Sequence, residues 1–171
     1  RCFVTHDKNM MYYQKENTAY LNRLLKNEKK LKINSTKIYK KFFLNISKIK
    51  IKLKKIIENI KNNNKSIYVL GASTKGNTIL QYLDIDNQTI PFASERNKEK
   101  FGAKTIGSNI EIINEDIVKK NPPDYQLVLP WHFKKEIIHR EKNYLKNGGK
   151  LIFPLPTIKI ITKKNYLKHV K

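Results

Sequence analysis

The pattern of hydrophobic positions changes near residue 66. Upstream, apolar residues recur every three or four positions, the spacing of an amphipathic helix. This spacing predicts one helix within residues 10–32. It predicts a longer one that begins at the capping sequence Asn34-Ser35-Thr36 and ends in the polar run 61–65. Downstream, short apolar runs alternate with amphipathic segments. The chain therefore has a helical first part and a mixed second part.

The mixed part predicts strands and helices in alternation. Strands are predicted over residues 67–70, 89–94, 110–113, 125–129 and 150–153, and a further one at 2–6. Helices are predicted after the Gly71 loop, after residue 114 and over 133–145. This alternation predicts an α/β protein with a doubly wound parallel sheet. Ligands bind such sheets at the carboxyl ends of the strands, which makes four loops candidates: 71–78, 94–109, 130–133 and 154–157.

The long helix of the first part carries lysines around its apolar stripe. The stripe runs from Ile38 to Ile60 in steps of three and four residues. A basic amphipathic helix can lie on a membrane surface. Packing of the stripe against neighbouring elements is the commoner arrangement, and it is our prediction.

The net charge of the 171-residue chain is +22, which is typical of nucleic-acid-binding proteins. The excess is nearly all lysine, mixed along the chain with asparagine and isoleucine, and these three residue types share A- and T-rich codons. Arginine, the better bidentate ligand of phosphates and bases, stands only at positions 1, 23, 96 and 140. Codon bias therefore explains the charge better than a nucleic-acid partner does.

Cysteine content and hydropathy exclude further kinds of site and of protein. The single cysteine, Cys2, excludes an internal disulfide or a cysteine-cluster zinc site made by this sequence. No apolar run reaches the ~18 residues that span a membrane, so no membrane partner is expected. The sequence begins at Arg1 without the pattern of a secretory leader, and we expect a cytoplasmic fragment of a longer protein.

The loop after the first strand of the mixed part, Gly71-Ala-Ser-Thr-Lys-Gly-Asn-Thr78, has the glycine spacing of a phosphate-binding P-loop. Asn77 stands where the P-loop requires lysine, which argues against nucleotide hydrolysis. The loop also resembles a dinucleotide fingerprint in which Ser73 replaces the middle glycine, and this change weakens the case for a tightly held dinucleotide.

The same loop retains the features of an anion cradle. Backbone N–H groups at a helix N-terminus, the hydroxyls of Ser73, Thr74 and Thr78, and the charge of Lys75 would all favour an anion. The alternative is structural: the two glycines could serve only a tight strand-to-helix turn.

Two further loops carry polar and aromatic candidates. Glu95 stands where such folds often place a ribose-binding carboxylate, and Arg96 could meet a phosphate. Trp131 and His132 could stack on a base and donate a hydrogen bond, or Trp131 could cap the core. The remaining histidines show no partner in the sequence and are expected in solvent: His6, His139 and His169.

Four stretches occur in an order and spacing that is more specific than any one of them: GASTKGNTILQY, ERNKEKFGAKTIGSNIEI, NPPDYQLVLPWHFKKEII and GGKLIFPLP. Together they resemble the C-terminal domain of the S-adenosylmethionine-dependent C-methyltransferases that act on nucleotide-activated deoxysugars. The resemblance is strongest over residues 66–157. It implies two parts: residues 1–65, the end of a methyltransferase domain with a helical connecting segment, and residues 66–171, a Rossmann-like parallel sheet with flanking helices.

In that family a zinc-binding module and a central S-adenosylmethionine-binding domain precede this one, which helps to hold the sugar nucleotide. The methyl group goes to a carbon beside a keto group after a base removes its proton. This sequence has neither the cysteine cluster for zinc nor the loop for the methyl donor. The resemblance therefore implies that zinc, S-adenosylmethionine and the catalytic residues lie upstream of Arg1, and that this chain alone is inactive.

The resemblance also implies substrate-binding roles for the matching positions. The segment from Ser73 to Thr78 would meet phosphate or sugar hydroxyls, and Glu95 with Arg96 would orient the sugar nucleotide. The predicted substrate-binding residues are Gly71, Ala72, Ser73, Lys75, Gly76, Asn77, Thr78, Glu95, Arg96, Lys100, Thr105, Trp131 and His132. Two other functions stay open: a standalone nucleotide- or dinucleotide-binding module, and a basic nucleic-acid-binding protein.

Overall fold

The computed structural model describes residues 15–170. The strand predicted at residues 2–6, and the first residues of the helix predicted within 10–32, lie outside this range. The chain divides into two compact units, residues 1–46 and residues 47–171. The β-sheet belongs to the second unit.

Two helices occupy the first part of the described chain, as predicted. Helix α1 is Lys15–Leu31 and helix α2 is Thr36–Asn62, which continues from the first unit into the second. The hydroxyl of Ser35 caps α2 by accepting a hydrogen bond from the Lys37 N–H at 3.3 Å.

The apolar stripe of α2 is buried along only part of its length. Leu53, Ile57 and Ile60 are buried in the core of the second unit. Phe42 and Phe43, nearer the N-terminus, are 63% and 64% exposed. The prediction of a stripe packed along the whole helix is therefore wrong for its first half.

Six strands form one sheet in the order β3-β2-β1-β4-β5-β6. The strands are β1 (Ile67–Leu70), β2 (Phe92–Glu95), β3 (Glu111–Asn114), β4 (Tyr125–Val128), β5 (Lys150–Phe153) and β6 (Lys159–Ile161). All neighbouring pairs are parallel except β5 and β6, which are antiparallel. The predicted α/β fold with a doubly wound parallel sheet is confirmed.

Helices connect the strands and cover both faces of the sheet. They are α3 (Thr74–Tyr82), α4 (Glu115–Lys120), α5 (Lys134–Arg140) and α6 (Lys142–Lys146), with short 3-10 helices at Lys98–Lys100, Trp131–Phe133 and Tyr166–His169. Among the described helices, none is long and apolar enough to cross a membrane.

Alternate residues of the strands enter two separate hydrophobic clusters. In β4, Leu127 joins the cluster that contains α2 and α3, whereas Val128 joins the cluster that contains α5 and α6. In β5, Ile152 joins the first cluster, and Leu151 joins the second. Both faces of the central strands are therefore covered, which explains why these strands are apolar runs rather than alternating ones.

Three elements differ from the sequence prediction. The second strand begins at Phe92 rather than residue 89, because Thr89 is engaged in a turn in which its N–H and hydroxyl both donate to Asp86 Oδ1. The predicted helix 133–145 is two helices that meet at Glu141, whose backbone leaves the helical range. Strand β6 lies beyond the last strand predicted from the sequence, 150–153.

Candidate functional site

The carboxyl ends of β1, β2 and β4 surround a cavity of about 340 Å³. The strand order changes direction between β1 and β4, so the cavity lies at the switch point where doubly wound sheets bind ligands. Three of the four predicted loops contribute to its lining, together with the first residue of α4 and three residues of α5. The lining residues are Leu70, Gly71, Ala72, Ser73, Ser94, Glu95, Arg96, Lys100, Glu115, Pro130, Phe133, Glu136, Ile137 and Arg140.

The glycine-bounded loop has a fixed conformation. Gly71 has a φ of +84°, and its N–H donates to the carbonyl of Ser94 at 2.8 Å. A Cβ at this position would lie 2.9 Å from Cδ of Pro130. The hydroxyl of Ser73 accepts from the Gly76 N–H at 3.1 Å and so caps α3. The loop is therefore held by its own backbone and by one cap.

Glu95 joins the loops that follow β1 and β2. Its Oε2 accepts from the Ala72 N–H at 3.0 Å, and its Oε1 accepts from the N–H groups of Arg96 at 2.8 Å and Asn97 at 3.1 Å. Burial alone would raise the pKa of this carboxyl, but the three N–H donors and Lys100 hold the pKa below its ordinary value. Glu95 is therefore ionised and connects the two loops, and most of its hydrogen-bond acceptor positions are occupied.

Lys100 completes this connection between the two loops. Its ammonium donates to the carbonyl of Ala72 at 2.9 Å and lies 3.7 Å from Oε2 of Glu95. The main chain of Ala72 is therefore held twice, through its N–H by Glu95 and through its carbonyl by Lys100. This double contact fixes the wall of the cavity next to Gly71.

The opposite wall contains a paired group of charges. Glu115 is buried, and its two oxygens lie 2.6 Å from the Lys119 ammonium and 3.2 Å from the Arg140 guanidinium. Arg140 also donates to Glu141 at 2.7 Å. The contact with Glu115 raises the pKa of Lys119. Because each of these charges has a partner, this group of charges is neutralised within the protein.

Two polar groups of the cavity lack a partner among the described residues. The Oγ of Ser94 is buried and accepts or donates no hydrogen bond within residues 15–170. The guanidinium of Arg96 is exposed and forms no ion pair with any described carboxylate. A buried hydroxyl without a partner and an unpaired cation are the groups that a polar, anionic ligand would satisfy.

Residues 15–170 contain no group of three or more histidine, cysteine, aspartate or glutamate side chains arranged to hold a metal ion. The cavity's free donors are instead suited to phosphate or hydroxyl oxygens. The cavity is a candidate binding site whose walls are held by hydrogen bonds and ion pairs within the protein.

The pattern of the C-methyltransferase C-terminal domain family matches residues 1–156. The chain belongs to this family. It is also 30% identical over 129 residues to the C-methyltransferase NovU of Streptomyces niveus, an alignment that covers 75% of this chain and 31% of that protein. The chain therefore spans about a third of the length of the curated relative that it matches.

In this C-methyltransferase domain, about half of the predicted site residues meet at the cavity. Those that line it are Gly71, Ala72, Ser73, Glu95, Arg96 and Lys100. The predicted residues of α3 do not line it: Lys75 and Thr78 are exposed, Gly76 packs on Leu129, and Asn77 has a buried Oδ1 without a partner among the described residues.

The other predicted residues lie apart from the cavity lining. Thr105 is buried, and its hydroxyl accepts from the Ile110 N–H at 3.0 Å. Trp131 packs against the hydrophobic cluster of α5 and α6. The ring of His132 lies between Trp131 and Phe133, with centroids 5.6 Å and 4.2 Å away. Their predicted contacts with substrate stay predictions.

Sequence reasoning missed several residues of the cavity. Ser94 is adjacent to Glu95, and the rule that ligands meet the carboxyl ends of strands would have included it. The same rule applied to β3 would have found Glu115, which directly follows that strand. Glu136 and Arg140 carry no comparable signal, because they reach the cavity only through the packing of α5.

Proposed function

We propose that this domain binds the nucleotide-activated keto-deoxysugar substrate of an S-adenosylmethionine-dependent C-methyltransferase. The observation that carries the proposal is the cavity at the switch point, in a chain that belongs to the C-methyltransferase family. Arg96 would pair with a substrate phosphate, and the Ser94 hydroxyl would bond a polar group of the ligand. Residues 66–171 would form the substrate domain, and residues 1–65 the connection to the rest of the enzyme.

The size of the cavity supports partial enclosure of the substrate. Small-molecule pockets have volumes of roughly 300–1,000 Å³, and 340 Å³ is near the lower end. One end of a sugar nucleotide would fit, with the remainder facing the part of the enzyme that carries the methyl donor. S-adenosylmethionine would supply the methyl group there, zinc would be held in a further module, and this chain alone would transfer no methyl group.

The hydrogen bonds that Glu95 already accepts within the protein favour this function over a dinucleotide-binding module. A ribose of a dinucleotide needs a carboxylate with free acceptor capacity at the end of the second strand. Glu95 accepts three backbone N–H groups instead. A sugar nucleotide bound through Arg96 and Ser94 would not need a free carboxylate oxygen of Glu95.

Arg96→Ala is expected to weaken the binding of nucleoside diphosphate sugars to the chain by about tenfold, the typical effect of losing one charge-assisted hydrogen bond. Calorimetry with a uridine and a thymidine diphosphate sugar would measure this. Lys75→Ala should cause a smaller loss, because Lys75 is exposed outside the cavity lining.

Lys98→Ala is the matched control, since Lys98 is an exposed cation two residues from Arg96 that does not line the cavity. Equal affinities of the Arg96→Ala and Lys98→Ala variants would remove Arg96 from the proposal. Tighter binding of NAD than of any diphosphate sugar would favour the dinucleotide-binding module instead.

A further inference from the structure

A second polar cluster lies outside the cavity, where α5, β6 and the last 3-10 helix meet. The Lys134 ammonium is 3.3 Å from Nδ1 of His169. Lys159 is the cross-strand neighbour of Phe153 in the antiparallel pair of β5 and β6, and its positive charge acts on the same ammonium. The sequence prediction that His169 has no partner is therefore wrong. Lys134, Lys159 and His169 are called the cationic cluster below.

The fold itself brings these three groups together. Each belongs to a different element, and each element is anchored in the same hydrophobic cluster by a nearby buried residue: Ile137 in α5, Ile161 in β6 and Tyr166 in the 3-10 helix. The Lys134 ammonium also lies 5.7 Å from the centre of the Phe153 ring. The lysines are thus held near one another by packing, whereas unconstrained lysines on a surface move apart.

The cationic cluster has no counterion within the described chain. No aspartate or glutamate of residues 15–170 lies within ion-pair distance of Lys134, Lys159 or His169. Burial, and then the charge of Lys159, lowers the pKa of Lys134. Burial, and then the charges of Lys134, Lys159 and Lys168, lowers the pKa of His169. The neighbouring positive charges therefore oppose protonation of Lys134 and His169, and a bound anion would reduce this opposition.

We propose that Lys134, Lys159 and His169 form a binding site for a phosphate group, either free phosphate or the phosphate of a small ester. A phosphate dianion offers several acceptor oxygens to the donors that converge here, and more charge than a carboxylate does. Without an anion, neutral His169 accepts a hydrogen bond from Lys134. With an anion, His169 takes up a proton and donates to the phosphate.

Proton uptake gives the proposal a specific test. Since binding and protonation are linked reciprocally, bound phosphate raises the pKa of His169. The His169 ring would be followed by NMR as pH is varied, in inorganic phosphate and in sodium chloride of equal ionic strength. We expect a pKa about one unit higher in phosphate, which corresponds to about tenfold tighter binding to the protonated form. The ring signals of His139, an exposed histidine of α5, should not differ between the two salts.

Variants separate the site from the general lysine surface. Lys134→Gln and Lys159→Gln should each remove at least about half of the phosphate-dependent rise. Lys135→Gln, an exposed neighbour of Lys134, should leave it unchanged. Lys159 is exposed on the edge strand β6, so its variant tests the site even if Lys134→Gln fails to fold.

Three results would overturn the proposal: equal His169 pKa values in phosphate and chloride, an equal rise at His139, or an equal loss in Lys135→Gln. Uridine diphosphate then distinguishes the source of the phosphate. If it displaces inorganic phosphate from the cationic cluster, the site takes a nucleotide phosphate. If inorganic phosphate alone raises the pKa, the site takes free phosphate. Because neither Arg96 nor the cavity is involved, this test can fail or succeed independently of the proposed function.

Discussion

Gly76→Ala is expected to lower the free energy of unfolding by about 1–3 kcal/mol, the usual range for overpacking a core. Replacing a glycine inside a helix by alanine normally raises the free energy of unfolding by about 0.5–1 kcal/mol. The effect expected here has the opposite sign. The reason is contact with Leu129, the residue that follows β4: an added Cβ would lie 2.5 Å from Cδ1 and 2.8 Å from Cβ of this fully buried side chain. Urea unfolding measured at pH 7 would give the difference.

A double-mutant cycle identifies the cause. On the Leu129→Ala background the penalty of Gly76→Ala should shrink, because the terminal atoms of Leu129 are gone and only its Cβ remains in contact. Lys75→Ala, an exposed position in the same helix, should leave stability within about 0.5 kcal/mol of the wild type. A stabilising effect of Gly76→Ala would show that α3 moves away from the sheet at little cost.

Glu95→Gln is expected to destabilise the domain at pH 7 by about 1–3 kcal/mol, because one carboxylate oxygen becomes an amide NH₂ that faces backbone N–H groups. Whichever way the amide is oriented, it opposes either the Ala72 N–H or the N–H groups of Arg96 and Asn97. The side chain of Glu95 is 16% exposed, so water compensates only partly.

The effect of Glu95→Gln should depend on pH. The folded-state pKa of Glu95 is below its ordinary value of 4.5, so its contribution is complete above pH 4.5 and is lost as the pH falls through the folded-state pKa. The stability difference between wild type and Glu95→Gln should therefore narrow in acid. Urea unfolding at pH 7 and at successively lower pH would measure it. Glu99→Gln, at an exposed neighbouring position, should change the free energy of unfolding little at any pH. An equal effect of both variants would contradict the stabilising role of the hydrogen bonds that Glu95 accepts.

The central strands could be predicted from sequence because both of their faces are buried. Such strands are short and mostly apolar, as in Ile67–Leu70 and residues 151–153 of β5. Strand β6 is a three-residue edge strand that contains Ile160 and Ile161 and is preceded by Ile158. This β-branched run is a usable signal, but the sequence prediction ends the sheet with the strand at 150–153.

The candidate site could be predicted to the extent that it lies in loops directly after strands. The glycine loop follows β1 and Glu95 ends β2, so the topology alone brings them together. The contribution of α5 depends on how that helix packs on the sheet, and no local pattern encodes it. The same holds for His169, whose partner Lys134 is 35 residues away in sequence.

The contacts of Glu95 bear on how the specificity of this domain can change. Glu95 holds Ala72, Arg96 and Asn97 through their backbone N–H groups, not through their side chains. Substitutions at residues 72, 96 and 97 that keep those N–H groups in place would preserve the geometry of the loops. Evolution or protein engineering could therefore vary the chemistry of this wall, and with it the choice of ligand, while the scaffold stays the same.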